Sequence, residues 1–164
     1  MKRRLLLALL AALPTAAVTH AVSAQSPEPT GPQPELPKEK LIIVTRDGVS
    51  HPFEVEMALT EAQQTVGEMF RPNVGPDAGM LFDWGYPRAS QMWMRNTLVP
   101  LDMVFINTDG TVRSIAENTV PRSLAVIDSH GSVRATLELA AGTTAKLNIR
   151  VGDKVHQRIF GNAQ

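Results

Sequence analysis

The alternation of apolar and polar residues, broken by Asp-Gly pairs, constrains the fold of this chain more than any other feature. An apolar run over residues 41–44 is followed by Asp47-Gly48 and then by strict alternation over residues 53–57. A period of two indicates a strand with one buried face, and Asp-Gly between two such runs is typical of a β-hairpin. A second pair, Asp109-Gly110, marks another turn of this kind. Further short strands are predicted at residues 80–82, 91–95, 101–107, 111–117, 133–139, 148–151 and 154–160.

One segment follows a helical period instead. The apolar residues between 62 and 70 fall on one stripe of a helix, and Thr60 with Gln63 matches a capping box. Gly67 within this segment costs about 1 kcal/mol relative to alanine, which suggests a close approach to a neighbour. A short turn or helix is expected near residues 143–147. The sequence therefore predicts one mainly β domain (α+β at the margin), a compact β-sandwich or barrel of short strands with one clear helix near residues 60–70.

The N-terminus has the layout of an exported protein. A basic start precedes an apolar run over residues 5–17, and small residues at 22–24 match a cleavage site. The apolar run is short for a membrane span, which needs about 20 residues. We therefore expect a signal peptide at 1–24 and a periplasmic or secreted protein, whether the signal is removed or retained as an anchor. Five prolines predict an extended linker at 25–38, so the domain should occupy residues 39–164.

Charge and cysteine content exclude several classes of function. The chain carries 16 basic and 16 acidic residues and no cysteine. Three of the basic residues lie in the predicted signal peptide, so the remainder has 16 − 3 = 13 against 16, a net charge of −3. This balance argues against a nucleic-acid partner and against a polybasic membrane surface. Without cysteine there is neither a disulfide scaffold nor thiol chemistry.

The common motifs of cofactor and metal sites are missing from the sequence. The histidines at positions 51, 130 and 156 do not stand at metal-ligand spacing. There is no glycine pattern for nucleotide phosphates and no G-x-S-x-G elbow. Methionines recur at strand and helix spacing, which we interpret as core packing. We therefore expect no metal and no cofactor.

Several motifs occur together in one order: "VGEMFRP", "GMLFDW", "MWMRNTLVPLDMVFINTDGTV", "LELAAG" and "IRVGDKV". In this order they resemble the domain of unknown function 192 family, small bacterial and archaeal proteins that are often exported. The resemblance runs from about residue 40 to residue 160 and implies a compact, mainly β domain, but no reaction or substrate. The chain departs from the family pattern at Glu68, where an apolar residue is usual, and at Arg95, where lysine is commoner. It also lacks the cysteine pair that many members carry within the segment 119–133.

The densest polar stretch is "QMWMRNTLVPLD", residues 91–102, which contains Trp93, Arg95, Asn96 and Asp102. As a hairpin, it would pair Arg95 with Asp102 near its mouth, while Asn96 bonds its own turn backbone. As a binding site, it would offer Trp93 as an apolar wall and Arg95 as a two-pronged grip on an anion. The neighbouring motifs would add Arg71, Asp83 and Trp84.

These residues predict non-catalytic binding of a small polar or anionic ligand, or of an envelope protein. No nucleic acid and no membrane span after signal removal are expected. One alternative is a cell-envelope hydrolase-like enzyme with Asp102 as its base. Another is a protein-docking module, which predicts an exposed apolar patch around Trp84 and Trp93.

Overall fold

The computed structural model describes residues 28–163, which contain seven strands and two short α-helices. The strands are β1 (Lys38–Val44), β2 (Ser50–Ala58), β3 (Ala78–Met92), β4 (Leu101–Ile106), β5 (Val112–Ala116), β6 (Ile127–Ala140) and β7 (Lys154–His156). The helices are α1 (Glu61–Val66) and α2 (Thr143–Lys146), and a 3-10 turn spans Arg158–Phe160. The predicted mainly β class is confirmed.

All seven strands form one curled sheet in the order β5-β4-β6-β3-β2-β1-β7. β2 and β3 pair in parallel, which requires the crossover that contains α1, whereas all other neighbours pair antiparallel. The curl brings the two edges of the sheet together, because Thr111 bridges Lys154 and the Gly152 N–H donates to the Val112 carbonyl. The sheet is therefore a half-barrel whose two edges contact each other at residues 110–112 and 152–155.

The two faces of the sheet have different roles. On one face Leu137 of β6 lies between Leu81 of β3 and Val104 of β4, and all three belong to the main buried core. On the other face Glu138 lies between Met80 and Met103. A carboxyl group therefore occupies a position in the middle of the sheet, where its strand neighbours are apolar.

The structure corrects the bounds of several predicted elements. The strand expected at 80–82 and the first two residues of the one expected at 91–95 belong to one strand, β3, whose pairing with β6 shifts register between Asp83 and Arg88. Residues 93–95 lie in the loop after β3 and not in a strand. The helix expected near 60–70 has its capping box but ends at Val66, because Gly67 adopts a positive φ of 50°. Residues 148–151 form turn and coil rather than a strand, and β7 ends at His156.

The predicted signal peptide at 1–24 lies outside the described residues, as do residues 25–27. The described part of the predicted linker, residues 28–37, has neither helix nor strand. It nevertheless contacts the domain, since the Gln33 side chain donates to the Gln63 and Gly67 carbonyls and the Leu36 N–H donates to Glu56. Over residues 28–163, none of the helices has the length and apolar character needed to cross a membrane.

Candidate functional site

A pocket of about 470 Å³ lies between α1 and the outer half of β3. The turn that follows α1 forms one wall, the second half of β3 and the residues after it form the other, and β6 contributes from below. The lining residues are Glu61, Gln64, Thr65, Val66, Gly67, Glu68, Met69, Phe82, Trp84, Arg88, Gln91, Met92, Trp93, Thr97 and Glu138.

Two carboxyl groups dominate the chemistry of this pocket. Glu68 and Glu138 are each only 4% exposed. The Oε2 atom of each side chain has no hydrogen-bond partner among the described residues. Buried polar atoms normally find a partner, so two such oxygens lining one pocket call for an explanation. A ligand that donates hydrogen bonds would provide it.

Burial changes the protonation of both groups. Desolvation raises the pKa of the Glu68 carboxyl to about 7, although Arg71 lowers it and the charge of Glu56 raises it further. Desolvation also raises the pKa of Glu138 well above its usual range, and the charge of Glu68 acts in the same direction. Burial therefore favours the neutral acid in both groups, and at neutral pH Glu68 is divided between its acid and its carboxylate.

Arg71, the cation next to Glu68, already forms an ion pair with Glu56. Arg71 places its two terminal nitrogens 2.5 and 2.8 Å from the two oxygens of Glu56, a two-pronged ion pair. Burial opposes the ionisation of Glu56, but the hydrogen bonds from Arg71 and Leu36 outweigh it and lower the pKa of this carboxyl. Arg71 Nε lies 3.3 Å from Glu68 Oε2 but without hydrogen-bond geometry. Arg71 therefore attracts Glu68 without satisfying its free oxygen.

The backbone after α1 holds Glu68 in place. Gly67 approaches β3 so closely that a Cβ at this position would lie 2.9 Å from Phe82 Cζ and 3.8 Å from Glu138 Oε2. Phe70 has a positive φ of 62°, and its N–H donates to the carbonyl of Asn96, whose φ is 56°. A hydrogen bond between two residues with positive φ thus joins the turn after α1 to the loop after β3. Residues other than glycine rarely adopt a positive φ.

Aromatic rings form the rim of the pocket. Trp84 contacts Phe82 with ring centroids 5.7 Å apart, and its Nε1 donates to Thr136. The Arg88 guanidinium lies 4.4 Å from the centroid of Trp84, within the range of cation–π attraction. Trp93 is 47% exposed at the outer edge of the pocket. These rings give the pocket apolar walls above its acidic base.

Asp102 does not line this pocket. It is fully buried, and it accepts hydrogen bonds from the Asn118 N–H at 2.9 Å and the Gly142 N–H at 3.1 Å. The N–H and hydroxyl of Thr144 donate to its other oxygen at 2.9 and 2.7 Å. Asp102 therefore connects β4 to the N-terminal end of α2 and to the segment after β5.

The other sequence-predicted residues divide into two groups. Trp84 and Trp93 line the pocket, and Arg71 lies next to it against Glu68. Arg95 pairs with Glu28 at 2.8 Å instead of with Asp102, and Asp83 pairs with Arg134. Asn96 contributes its backbone carbonyl rather than a polar group facing the pocket. The stretch 91–102 is thus split between the pocket rim and the scaffold.

Sequence reasoning missed Glu68 and Glu138. Glu138 alternates correctly with the apolar residues of β6, so the period-two pattern assigned it to a wet face. Glu68 offered a signal, because it is a charged residue in a motif position where the family usually has an apolar one. Among the residues that the structure describes, no three or more histidine or acidic side chains are grouped to hold a metal ion.

The loop after β3 also bears on the docking alternative. Met94 N–H donates to the Ser123 carbonyl and Arg122 N–H donates to the Thr97 carbonyl, so this loop lies beside the segment 120–126. That segment exposes Val120, Leu124 and Val126, which are between 62% and 69% accessible. Exposed apolar side chains therefore occur beside Trp93, whereas Trp84 is partly covered.

Comparison with known proteins confirms the family resemblance. The sequence profile of the DUF192 family, described as an uncharacterised ACR, matches residues 42–157. No curated protein matches the chain.

Two solved structures resemble this chain closely. One is a protein from Sinorhizobium meliloti 1021, described as a candidate transcription regulator, with 44% identity and a TM-score of 0.75, covering 77% of this chain and 98% of its own. The other is a protein of unknown function from Novosphingobium aromaticivorans DSM 12444, with 36% identity and a TM-score of 0.73, covering 82% of this chain and 94% of its own.

Proposed function

This chain belongs to the DUF192 family, and we propose that it binds a small polar ligand in the pocket between α1 and β3. The observation that carries the proposal is the pair of buried oxygens, Glu68 Oε2 and Glu138 Oε2, that lack a protein donor among the described residues. Pockets of a few hundred Å³ with apolar walls and a few convergent polar groups are the usual form of a small-molecule site. The binding here is non-catalytic.

The pocket favours hydrogen-bond donors over anions. Its buried polar groups are carboxyls, which accept hydrogen bonds when ionised and both donate and accept when protonated. Arg71 and Arg95 are engaged by Glu56 and Glu28. Arg88, which lines the pocket, lies over the Trp84 ring at the rim rather than beside the buried carboxyls. The ligand is therefore a small polar molecule recognised through its N–H or O–H groups.

A thermal-shift screen of sugars, amino acids, nucleotides and amines tests this proposal. A ligand at 100 times its dissociation constant adds about 2.7 kcal/mol, enough to raise Tm by several degrees. We expect at least one class of compound to raise Tm of the wild type and of Glu54→Gln, but not of Glu138→Gln. Glu54 is an exposed carboxylate that does not line this pocket, and so serves as the matched control.

Two results would contradict the proposal. A shift that persists unchanged in Glu138→Gln places the ligand elsewhere on the molecule. The absence of a shift with every class of compound leaves the pocket without a binding role and directs attention to the exposed apolar segment 120–126.

A second candidate is acid–base catalysis by the same pair of carboxyls. Glu138, whose pKa burial raises, and Glu68, whose pKa is about 7, form a pair of perturbed carboxyls of the kind found in hydrolytic enzymes. For an enzyme, Glu138→Gln abolishes turnover while the substrate still binds. For a binder, the same change weakens binding and there is no turnover to lose, so a hydrolysis assay beside the binding assay separates the two.

We also propose that the protein is exported, on the basis of the layout of residues 1–24. The mass of the protein isolated from the cell envelope is expected to correspond to a chain that begins after Ala24. A chain of full mass found only in the cytoplasm would overturn this.

A further inference from the structure

We propose that the ligand of this pocket is an organic cation, a primary amine or a guanidine with an apolar stem. This inference rests on the proposed function and names the chemical class that the site accepts. Its charged end lies against Glu68 and Glu138, and its stem lies along the aromatic rim.

The balance of charge at the base of the pocket is the first argument. Three carboxyls, Glu56, Glu68 and Glu138, lie around one guanidinium, that of Arg71. Both terminal nitrogens of Arg71 are bound by Glu56. Ionisation of Glu138 would require both a counter-charge and hydrogen-bond donors; the charge of Arg71 acts on it, but its Oε2 accepts no hydrogen bond from the described residues. A ligand cation completes this arrangement.

The shape and walls of the pocket decide between an organic cation and a metal ion. Two carboxyls are too few for a metal site built from protein oxygens, which for Ca²⁺ takes six to eight ligands. The volume of about 470 Å³ is far larger than an ion needs. The walls carry Phe82, Trp84 and Trp93, which suit the methylene or aromatic stem of an organic molecule.

When no cation is bound, protonation of the two carboxyl groups reduces the negative charge in the pocket. Burial favours the protonated form of Glu138, and Glu68 is mostly protonated below pH 7. Entry of a cation favours the ionised carboxyls, so the acidic protons leave to the solvent as the ligand charge takes their place. Other charged groups facing this region are Glu56 on β2, Glu61 on α1, Arg71 in the turn and Arg88 on β3. Despite burial, hydrogen bonds from Arg71 lower the pKa of Glu56, and hydrogen bonds to Glu56 raise the pKa of Arg71, so this pair keeps its charges.

Calorimetric titration at pH 6 of the protein as isolated from cells tests the inference. The probes are butylguanidine and butylamine, with butanol and butyrate as neutral and anionic matches for the stem. Repeating each titration in cacodylate and in MES, which differ in ionisation enthalpy, gives the number of protons released. We expect the two cations to bind with release of about one proton, and their Kd to fall up to tenfold per pH unit between pH 5.5 and 7 for each proton released.

Variants identify the source of the protons. In the Glu68→Gln and Glu138→Gln double variant the cations should bind at least tenfold more weakly and release no proton. Glu54→Gln should behave as the wild type. Because glutamine matches glutamate in volume, a cooperative melt of the double variant is expected, and the proton count of the wild type stands as a separate test if the variant does not fold.

The outcomes separate this inference from the function on which it rests. Butanol binding as tightly as butylamine, or cation binding without proton release, overturns the inference but leaves the pocket as a small-molecule site. Failure of the cations together with a Glu138-dependent Tm shift from another class of compound has the same meaning. Failure of every class of compound contradicts the proposed function itself.

Discussion

Glu68 holds a carboxyl group at a position where its ionisation is opposed by burial. In the unfolded chain this group has its ordinary pKa of 4.5, and in the folded protein its pKa is about 7. Between these two values the folded state binds more protons than the unfolded state. Stability from this group is therefore fully present below pH 4.5 and is lost as the pH rises through 7.

Replacing Glu68 by glutamine should remove this dependence. Relative to the wild type, we expect the free energy of unfolding of Glu68→Gln to increase by on the order of 3 kcal/mol as the pH rises from 4.5 to 8.5. Urea denaturation at both pH values measures it. The exposed Glu54→Gln serves as a control that should follow the wild type at both. An equal difference between wild type and Glu68→Gln at both pH values would contradict the raised pKa.

Asp102 illustrates a buried carboxylate with the opposite role. It accepts four hydrogen bonds, three of them from backbone N–H groups. Asp102→Ala removes the partner of all four donors and leaves the two on Thr144 buried without one, so we expect a loss of about 4 kcal/mol in unfolding free energy, and Asp102→Asn a loss of about half as much. Asp77→Ala, at an exposed position, should change stability by less than about 0.5 kcal/mol.

Ligand binding separates this scaffold role from a role in the site. Asp102 does not line the pocket, so Asp102→Asn that still melts cooperatively should bind the pocket ligand as the wild type does. A selective loss of binding in a stably folded Asp102→Asn would return Asp102 to the candidate site.

At the scale of elements, the turn after α1 depends on a residue without a side chain. Gly67 combines a positive φ with an approach to Phe82 that leaves no room for a Cβ. We expect Gly67→Ala to lower the free energy of unfolding by about 3 kcal/mol and to weaken ligand binding, because Glu68 follows directly. Gly48→Ala is the matched control, since Gly48 also has a positive φ but open space around it. It should cost about 1 kcal/mol.

Thermal melts of the two glycine variants measure the difference. Both replacements put a side chain at a positive φ, so the excess loss in Gly67→Ala reports what is particular to Gly67, its ψ of −132° and its contact with β3. Equal losses would mean that the turn can move away from Phe82.

The elements themselves were largely predictable, and the reasons for the errors are physical. Period-two alternation identified β2, β4, β5 and β6, and the capping box placed the start of α1 correctly. The pattern failed in β3, because a register shift after Asp83 interrupts the alternation that a sequence scan relies on. It also failed at residues 148–151, where Ile149 packs in the core from a turn rather than from a strand and Val151 is exposed.

At the scale of the whole molecule, the candidate site was beyond the reach of local patterns. Glu68 and Glu138 lie far apart in the sequence. They come together because the β2–β3 crossover places α1 and the turn after it over β3, and β6 pairs with β3. Asp102 stands in the densest polar stretch, but it accepts hydrogen bonds from the segment after β5 and from α2, both far from it in the sequence. Spacing in the sequence predicts which side chains share a strand face, but not which faces the topology brings together.

The meeting of β5 with the segment before β7 has a consequence for behaviour in a crowded compartment. A strand at the border of a sheet ordinarily offers a row of free backbone groups to which another chain can add. Here the Val112 N–H donates to the Asp153 carbonyl and the Val155 N–H donates to the Gly110 carbonyl of the same chain. These bonds occupy part of both borders and shorten the template on which edge-to-edge aggregation of β proteins begins.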